Sequence, residues 1–235
     1  MDKKVLTAEQ KRSEQDLIIV LIITLAVLAA YMAFSSRIDS LFKNRDISLV
    51  LRTLFMALFQ FGTAGLGISL VSIIRKEKFS SSGLRKENAI KAVLLSILAV
   101  VPYLVFRAAT NSLTSYLPFQ QVWATEEWLA LGFPKSIPGI AIIAAAWGFF
   151  EGFNYAVIND KINKRWPVKN IFLRPGAIVC AVLCILIHGL VGVTPSAIAE
   201  GLTVFLIIYG MLVIKEYTHN AWGCVFIFLF FWNAI

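Results

Sequence analysis

Residues 137–159 read IPGIAIIAAAWGFFEGFNYAVIN. At 1.5 Å of rise per residue, such a run is long enough to cross a hydrocarbon core about 30 Å thick, which takes about 20 apolar residues as a helix. Its reading as a membrane span decides the fold class, because only helices or closed barrels satisfy their backbone in lipid. One residue resists that reading. A charged side chain at the centre of a span costs roughly 2.5–3.5 kcal/mol on insertion scales, and Glu151 has to offset something of that order.

The rest of the chain agrees with a membrane setting. Of its 235 residues 58% are hydrophobic and only 15% charged, with a mean hydropathy of +0.75. A soluble domain needs more charge on its surface. Seven apolar segments can be bracketed, at 17–35, 47–74, 89–106, 137–159, 176–193, 196–214 and 221–235. The second is long enough to tilt, or to break near Gly62, Gly65 and Gly67. Alternating strand patterns of the outer-membrane kind are missing. The expectation is therefore an all-α fold: a polytopic membrane helical bundle of about seven transmembrane helices, in a single domain over 1–235. A polar segment, 1–16, leads into the first span, which reads as retained rather than as a cleaved signal.

Lysine and arginine orient the bundle. With the N-terminus in the cytoplasm, the inside segments carry sixteen of these residues and the outside segments five; Arg52 falls within a span. This predicts a multi-pass protein of the plasma membrane, N-terminus inside and C-terminus outside. The net charge of +8 then reads as a topology signal and an attraction to anionic membrane lipids, not as a nucleic-acid footprint. Cys180, Cys184 and Cys224 lie in spans, unlike the loop cysteines of disulfide scaffolds. No internal repeat supports an inverted-repeat transporter. The outer loop 107–136 contains FQQVWATEEWLALGF, whose aromatic and acidic residues suit a short interfacial helix with Glu126 and Glu127 on a solvated face. Arg52, near the start of its span, is expected to snorkel to the headgroups, and Glu200 to sit at an interface.

The polar residues inside spans are the functional candidates. Glu151 lies roughly 12 Å from the inner end of the fourth span. Asn154 and Tyr155, at i+3 and i+4, share its face. His188 and Asn233 each lie roughly 18 Å from the inner side, on the fifth and last spans. Three helices thus bring Glu, His and Asn to similar depth. A buried Glu and a buried His are far less costly facing each other than alone. The chemistry this allows is hydrolysis: Glu151 takes a proton from a water that His188 helps to hold, the hydroxide attacks a peptide carbonyl, and the Asn233 amide donates to the oxyanion. No metal or cofactor is expected. Cys180, Cys184 and His188 share a helical face, but its ends lie about 12 Å apart, too far for one ion.

These residues, in this order, resemble the CAAX-protease and bacteriocin-processing (CPBP) family of intramembrane glutamate proteases, over about 137–235. The family's Glu-Glu-x-x-x-Arg motif is similar to WGFFEGFNYAV, with Glu151 at the first glutamate and Tyr155 before the arginine position. Phe-x-x-x-His is matched by Cys184 to His188 in the histidine only. His-x-x-x-Asn resembles Leu229 to Asn233, in the asparagine. Gly152, Ala156 and Leu229 stand where that family has its second glutamate, its arginine and its oxyanion histidine. The resemblance implies a membrane endopeptidase of eight or so helices acting on a peptide or a lipidated or membrane protein, with Glu151 and His188 catalytic and Asn233, Asn154 and Tyr155 supporting. A second reading stays open beside it: a non-catalytic protein of the same fold that acts as a binding or immunity factor or a small-solute carrier.

Overall fold

A computed structural model describes residues 5–113, 115–189 and 193–234, and every regular element among them is helical. In chain order these are α1 (Ala8–Lys43), α2 (Leu49–Arg75), α3 (Ala89–Ala109), α4 (Ala124–Ala130), α5 (Ile137–Arg165), α6 (Pro175–Ile187), α7 (Pro195–Thr218) and α8 (Trp222–Trp232). Five of them, α1, α2, α3, α5 and α7, are long and apolar enough to cross a bilayer. The apolar helices α6 and α8 are shorter.

Three of the long or terminal helices are not α-helical throughout. π-helical turns occupy Gly62–Leu66 in α2, Ala144–Phe150 in α5 and Phe228–Trp232 in α8. The first falls on the glycines at which a break was expected. Such turns hold an extra residue in the helix and recur at functional sites.

The chain divides into two compact units, each built from three separate segments. The first comprises Met1–Ile19, Arg75–Leu113 and Tyr155–Cys224. In it α7 packs along both α3 and α6. α3 carries the small residues Ala92, Ser96 and Ala99 at i, i+4 and i+7; Ala99 lies against Gly210 of α7, and Ala92 and Ser96 against Gly223 of α8. Close approach of backbones over small residues is how helices associate where no hydrophobic force acts between them. A Cβ on Gly210 of α7 would lie 2.9 Å from that of Ala99.

The polar head of α1 belongs to this unit and is not a free tail. Asp16 is fully buried and accepts from Arg75 Nε at 2.7 Å and Lys161 Nζ at 2.8 Å. Glu77 bridges Lys161 and Arg12, and Glu14 pairs with Arg165. A carboxylate this deep is tolerable only with partners, and two cations supply them.

The second unit comprises Val20–Ile74, Thr114–Asn154 and Val225–Ile235, and all three π turns lie within it. The turn in α5 packs against the other two. Missing side chains make this possible: a Cβ on Gly65 would lie 2.3 Å from the Phe61 ring and 2.9 Å from Phe150, and one on Gly148 would lie 2.3 Å from Leu229. The short α4 packs on α2 and α5 with Ala124, Thr125 and Trp128 buried. The Trp128 indole lies over Gly139 and donates to Thr53 Oγ1 at 2.9 Å. Two expectations change here. Arg52 does not snorkel: it is buried, donates to the Phe42 and Ile47 carbonyls, and forms a two-toothed ion pair with Glu127. Glu127 is correspondingly half-buried rather than part of a solvated face. The bidentate geometry neutralises a guanidinium that would otherwise be stranded among apolar side chains.

Candidate functional site

Glu151 opens the second α-helical stretch of α5, directly after its π turn. The residue is 9% exposed, and its Oε2 accepts from Gln60 Nε2 at 2.7 Å. Gln60 stands two residues before the π turn of α2. The polar chain continues from there. Thr63, inside that turn, donates its hydroxyl to the Gln60 carbonyl at 3.0 Å, and the Thr63 carbonyl accepts from Thr24 Oγ1 of α1 at 2.9 Å. Three helices of the second unit are thus joined by one run of hydrogen bonds, Thr24 to Thr63 to Gln60 to Glu151. In a low-dielectric interior such a chain is strong when satisfied and costly when broken.

Two further expected residues share this unit. Asn154, one turn beyond Glu151, is half-buried, and its Oδ1 has no hydrogen-bond partner among the described residues. Asn233 ends the π turn of α8. Its carbonyl accepts from the Gln121 backbone N–H at 3.1 Å, while its Nδ2 is buried without a partner among the described residues. An orphan acceptor and an orphan donor are the groups a bound polar ligand satisfies. Leu229, four residues before Asn233, fills the space above Gly148.

Tyr155 and His188 belong to the other unit. Tyr155 is half-buried. His188 is exposed and caps α6, which ends at Ile187, where the sequence suggested a span running on to 193. Gly189 follows with φ +64. A left-handed glycine just past the last turn is a common helix stop. Residues 190–192 lie outside the described residues.

The first unit holds a polar cluster that the span-by-span reading passed over. Asn159 Nδ2 donates to Glu216 Oε1 at 2.7 Å, Arg174 also pairs with Glu216, and the buried Lys215 pairs with Asp160 and Glu216. Asn163 accepts from Gly176 N at 2.8 Å and so caps α6 from another helix. Cavities of about 160 Å³ and 470 Å³ both reach Asp160 and Glu216; Ser82, Arg85 and His219 line the smaller. The sequence signal was present in VIKEYT, with two charges late in an apolar helix, but each charge there finds an opposite partner. No group of three or more His, Cys, Asp or Glu among the described residues could hold a metal ion. Compared with protein families, with curated proteins and with solved structures, the chain matches none.

Proposed function

We propose that the chain is a membrane-embedded peptidase in which Glu151 activates water, the activity that the CPBP resemblance implies. The observation that carries this reading is the Glu151–Gln60 pair: a buried carboxylate, held by an amide from a second helix, at the joint between a π and an α turn. A carboxylate kept there at such desolvation cost is functional by default in a membrane helix. In this reading Glu151 removes a proton from water, and the hydroxide adds to the peptide carbonyl carbon. The same proton passes to the departing amine as the C–N bond breaks. His188 as the partner of Glu151, and Asn233 as the oxyanion donor, rest on the resemblance. Asn154 and Tyr155 support from the same helix. Seven crossings, with α6 and α8 as the two short ones, a cytoplasmic N-terminus and an outside C-terminus follow from the lysine and arginine distribution. In that arrangement α4 lies at the outer interface. Purified protein incubated with a library of membrane peptides is expected to cleave a subset. Glu151→Gln, with its helicity unchanged, is expected to lose at least about a hundredfold in rate. Full activity in that variant ends the peptidase reading.

A second reading is favoured by a specific observation. Leu229 is packed onto Gly148, and Ala156 is fully buried. An apolar side chain thus occupies the position of a donor whose loss costs about a hundredfold to a thousandfold. A non-catalytic binding or immunity factor, or a small-solute carrier, fits those two residues. Wild-type protein that cleaves nothing, with a phenotype that survives Glu151→Gln with His188→Gln, selects this reading.

A further inference from the structure

We propose that Thr24 of α1 is a positioning residue for Glu151: by holding the wide turn of α2 it keeps Gln60 aimed at that carboxylate, a role that rests on Glu151 being the base. Thr24 is the one polar side chain between Asp16 and Tyr31. Threonine hydroxyls in apolar membrane helices commonly bond to a neighbouring helix. Here the partner is backbone: Thr24 Oγ1 donates to the Thr63 carbonyl at 2.9 Å. In an α-helix that carbonyl would have its own amide four residues on. Thr63 lies inside the π turn Gly62–Leu66, where the pairing shifts to five residues, and α1 brings a further donor to it.

The packing around this bond suits the wide turn alone. Val20, Thr24 and Val27 stand at i, i+4 and i+7, on one face of α1. Val20 meets Gly67, where a Cβ would lie 3.0 Å from Val20 Cα. Val27 meets Gly62, where a Cβ would lie 2.9 Å from a Val27 methyl. The two glycines are five residues apart, and in a plain α-helix they would point about 140° away from each other. A turn that absorbs one extra residue presents both to a single face of α1. α1 is thus complementary to the π form of α2 and not to its α form.

Gln60 and Gly67 lie on opposite sides of the turn. Closing it with no residue removed would swing Gln60 about 100° around α2 relative to Gly67. The Gln60 amide, 2.7 Å from Glu151 Oε2, would then leave the carboxylate. Closure would also forfeit the bond from Thr24 and withdraw one glycine from α1. The Thr24 hydroxyl therefore opposes the swing, and it acts on Glu151 through Thr63 and Gln60.

The test is the rate at which dicyclohexylcarbodiimide, an apolar carboxyl reagent, modifies Glu151 in the purified full-length chain. Peptide mass spectrometry reads it, with Glu127 of the same unit as internal reference. Gln60 covers one oxygen of Glu151, so its departure uncovers the reagent's target. Thr24→Val and Thr24→Ala are each expected to raise the Glu151 rate about fivefold, the worth of one hydrogen bond, with Glu127 unchanged. Gln60→Leu should give a rise of the same size, and adding Thr24→Val to it no more. Thr24→Ser, which keeps the hydroxyl, should stay at the wild-type rate. A chain lacking Ala64, whose turn closes without rotating Gln60, should be indifferent to Thr24→Val. A wild-type rate in both Thr24→Val and Thr24→Ala, an equal rise at Glu127, or full additivity with Gln60→Leu overturns the proposal. So does a Thr24→Ser rate that matches Thr24→Val. The labelling needs no cleavage, so a chain that cuts nothing sinks the peptidase reading and leaves the Thr24 result to be decided separately. Where Glu151→Gln abolishes cleavage, Thr24→Val should lower kcat about fivefold with KM unchanged.

Discussion

Glu151 was conspicuous in the sequence because it is a charge inside an apolar run, and the structure keeps it buried. Its neighbour was not legible. Gln60 lies 91 residues away, and no local periodicity reports a pairing at that separation. The same holds for Arg52, whose partner Glu127 is 75 residues distant; position within the span suggested headgroups, and an opposite charge on α4 supplied a nearer solution. Gln60→Leu is expected to leave Glu151 buried without that amide and to destabilise the second unit by about 1–3 kcal/mol, read as a lower thermal midpoint in detergent. Adding Glu151→Leu should recover part of the loss, since removing both polar groups removes the desolvation penalty. At Gly139, an alanine would place its Cβ 1.9 Å from the Trp128 indole. That ring is buried and donates to Thr53, so moving it breaks packing and a hydrogen bond. The expected cost is at least about 1–3 kcal/mol, measurable as the same midpoint shift, and Trp128→Ala in the same chain should relieve most of it.

At the level of elements, the long apolar helices were legible from length and hydropathy alone, because the bilayer sets both. The end of α6 was not read from hydropathy, because the sequence stays apolar to 193; the stop lies in His188-Gly189, a left-handed glycine just past the last turn. The three π turns were half-visible. Glycines announced the one in α2, whereas nothing in AAAWGFF or FLFFW distinguishes a π turn from an α turn by composition. Packing decides it. A Gly148→Ala change must push Leu229 aside, and is expected to cost about 1–2 kcal/mol. In the double variant with Leu229→Ala the two effects should not add, and a double-mutant cycle on thermal midpoints measures that coupling. Each π turn also sets a phase. The wide turn absorbs one extra residue, so removing one residue from Ala144–Phe150 lets the segment close to α-helix with Glu151 on about the same face. Deletion of Ala145 is therefore expected to keep Glu151 on Gln60, with α5 helical by circular dichroism and a thermal midpoint above that of Gln60→Leu.

At the scale of the molecule, the first unit is held by ions as much as by small-residue packing. Asp16→Ala leaves Arg75 without its carboxylate and Lys161 with Glu77 alone. Breaking a buried pair of this kind costs about 3–5 kcal/mol, so this variant is expected to show the largest midpoint loss among single substitutions in the head of α1. Glu9→Ala, at a pair 4.0 Å long and well exposed, is expected to change little. The order in which the two units are written along the chain has a consequence for biosynthesis. Each takes an early, a middle and a late segment, and the last piece of the second unit, Val225–Ile235, is made after the last piece of the first. Neither unit can close while the chain is still short, so the early helices must wait in the insertion machinery or the lipid for partners not yet translated. A nascent chain stopped after Cys224 would have all of the first unit's segments and lack the C-terminal strip of the second. Such a truncated product is expected to be cleared by membrane quality control faster than the full chain, and pulse-chase half-lives of the two would show it.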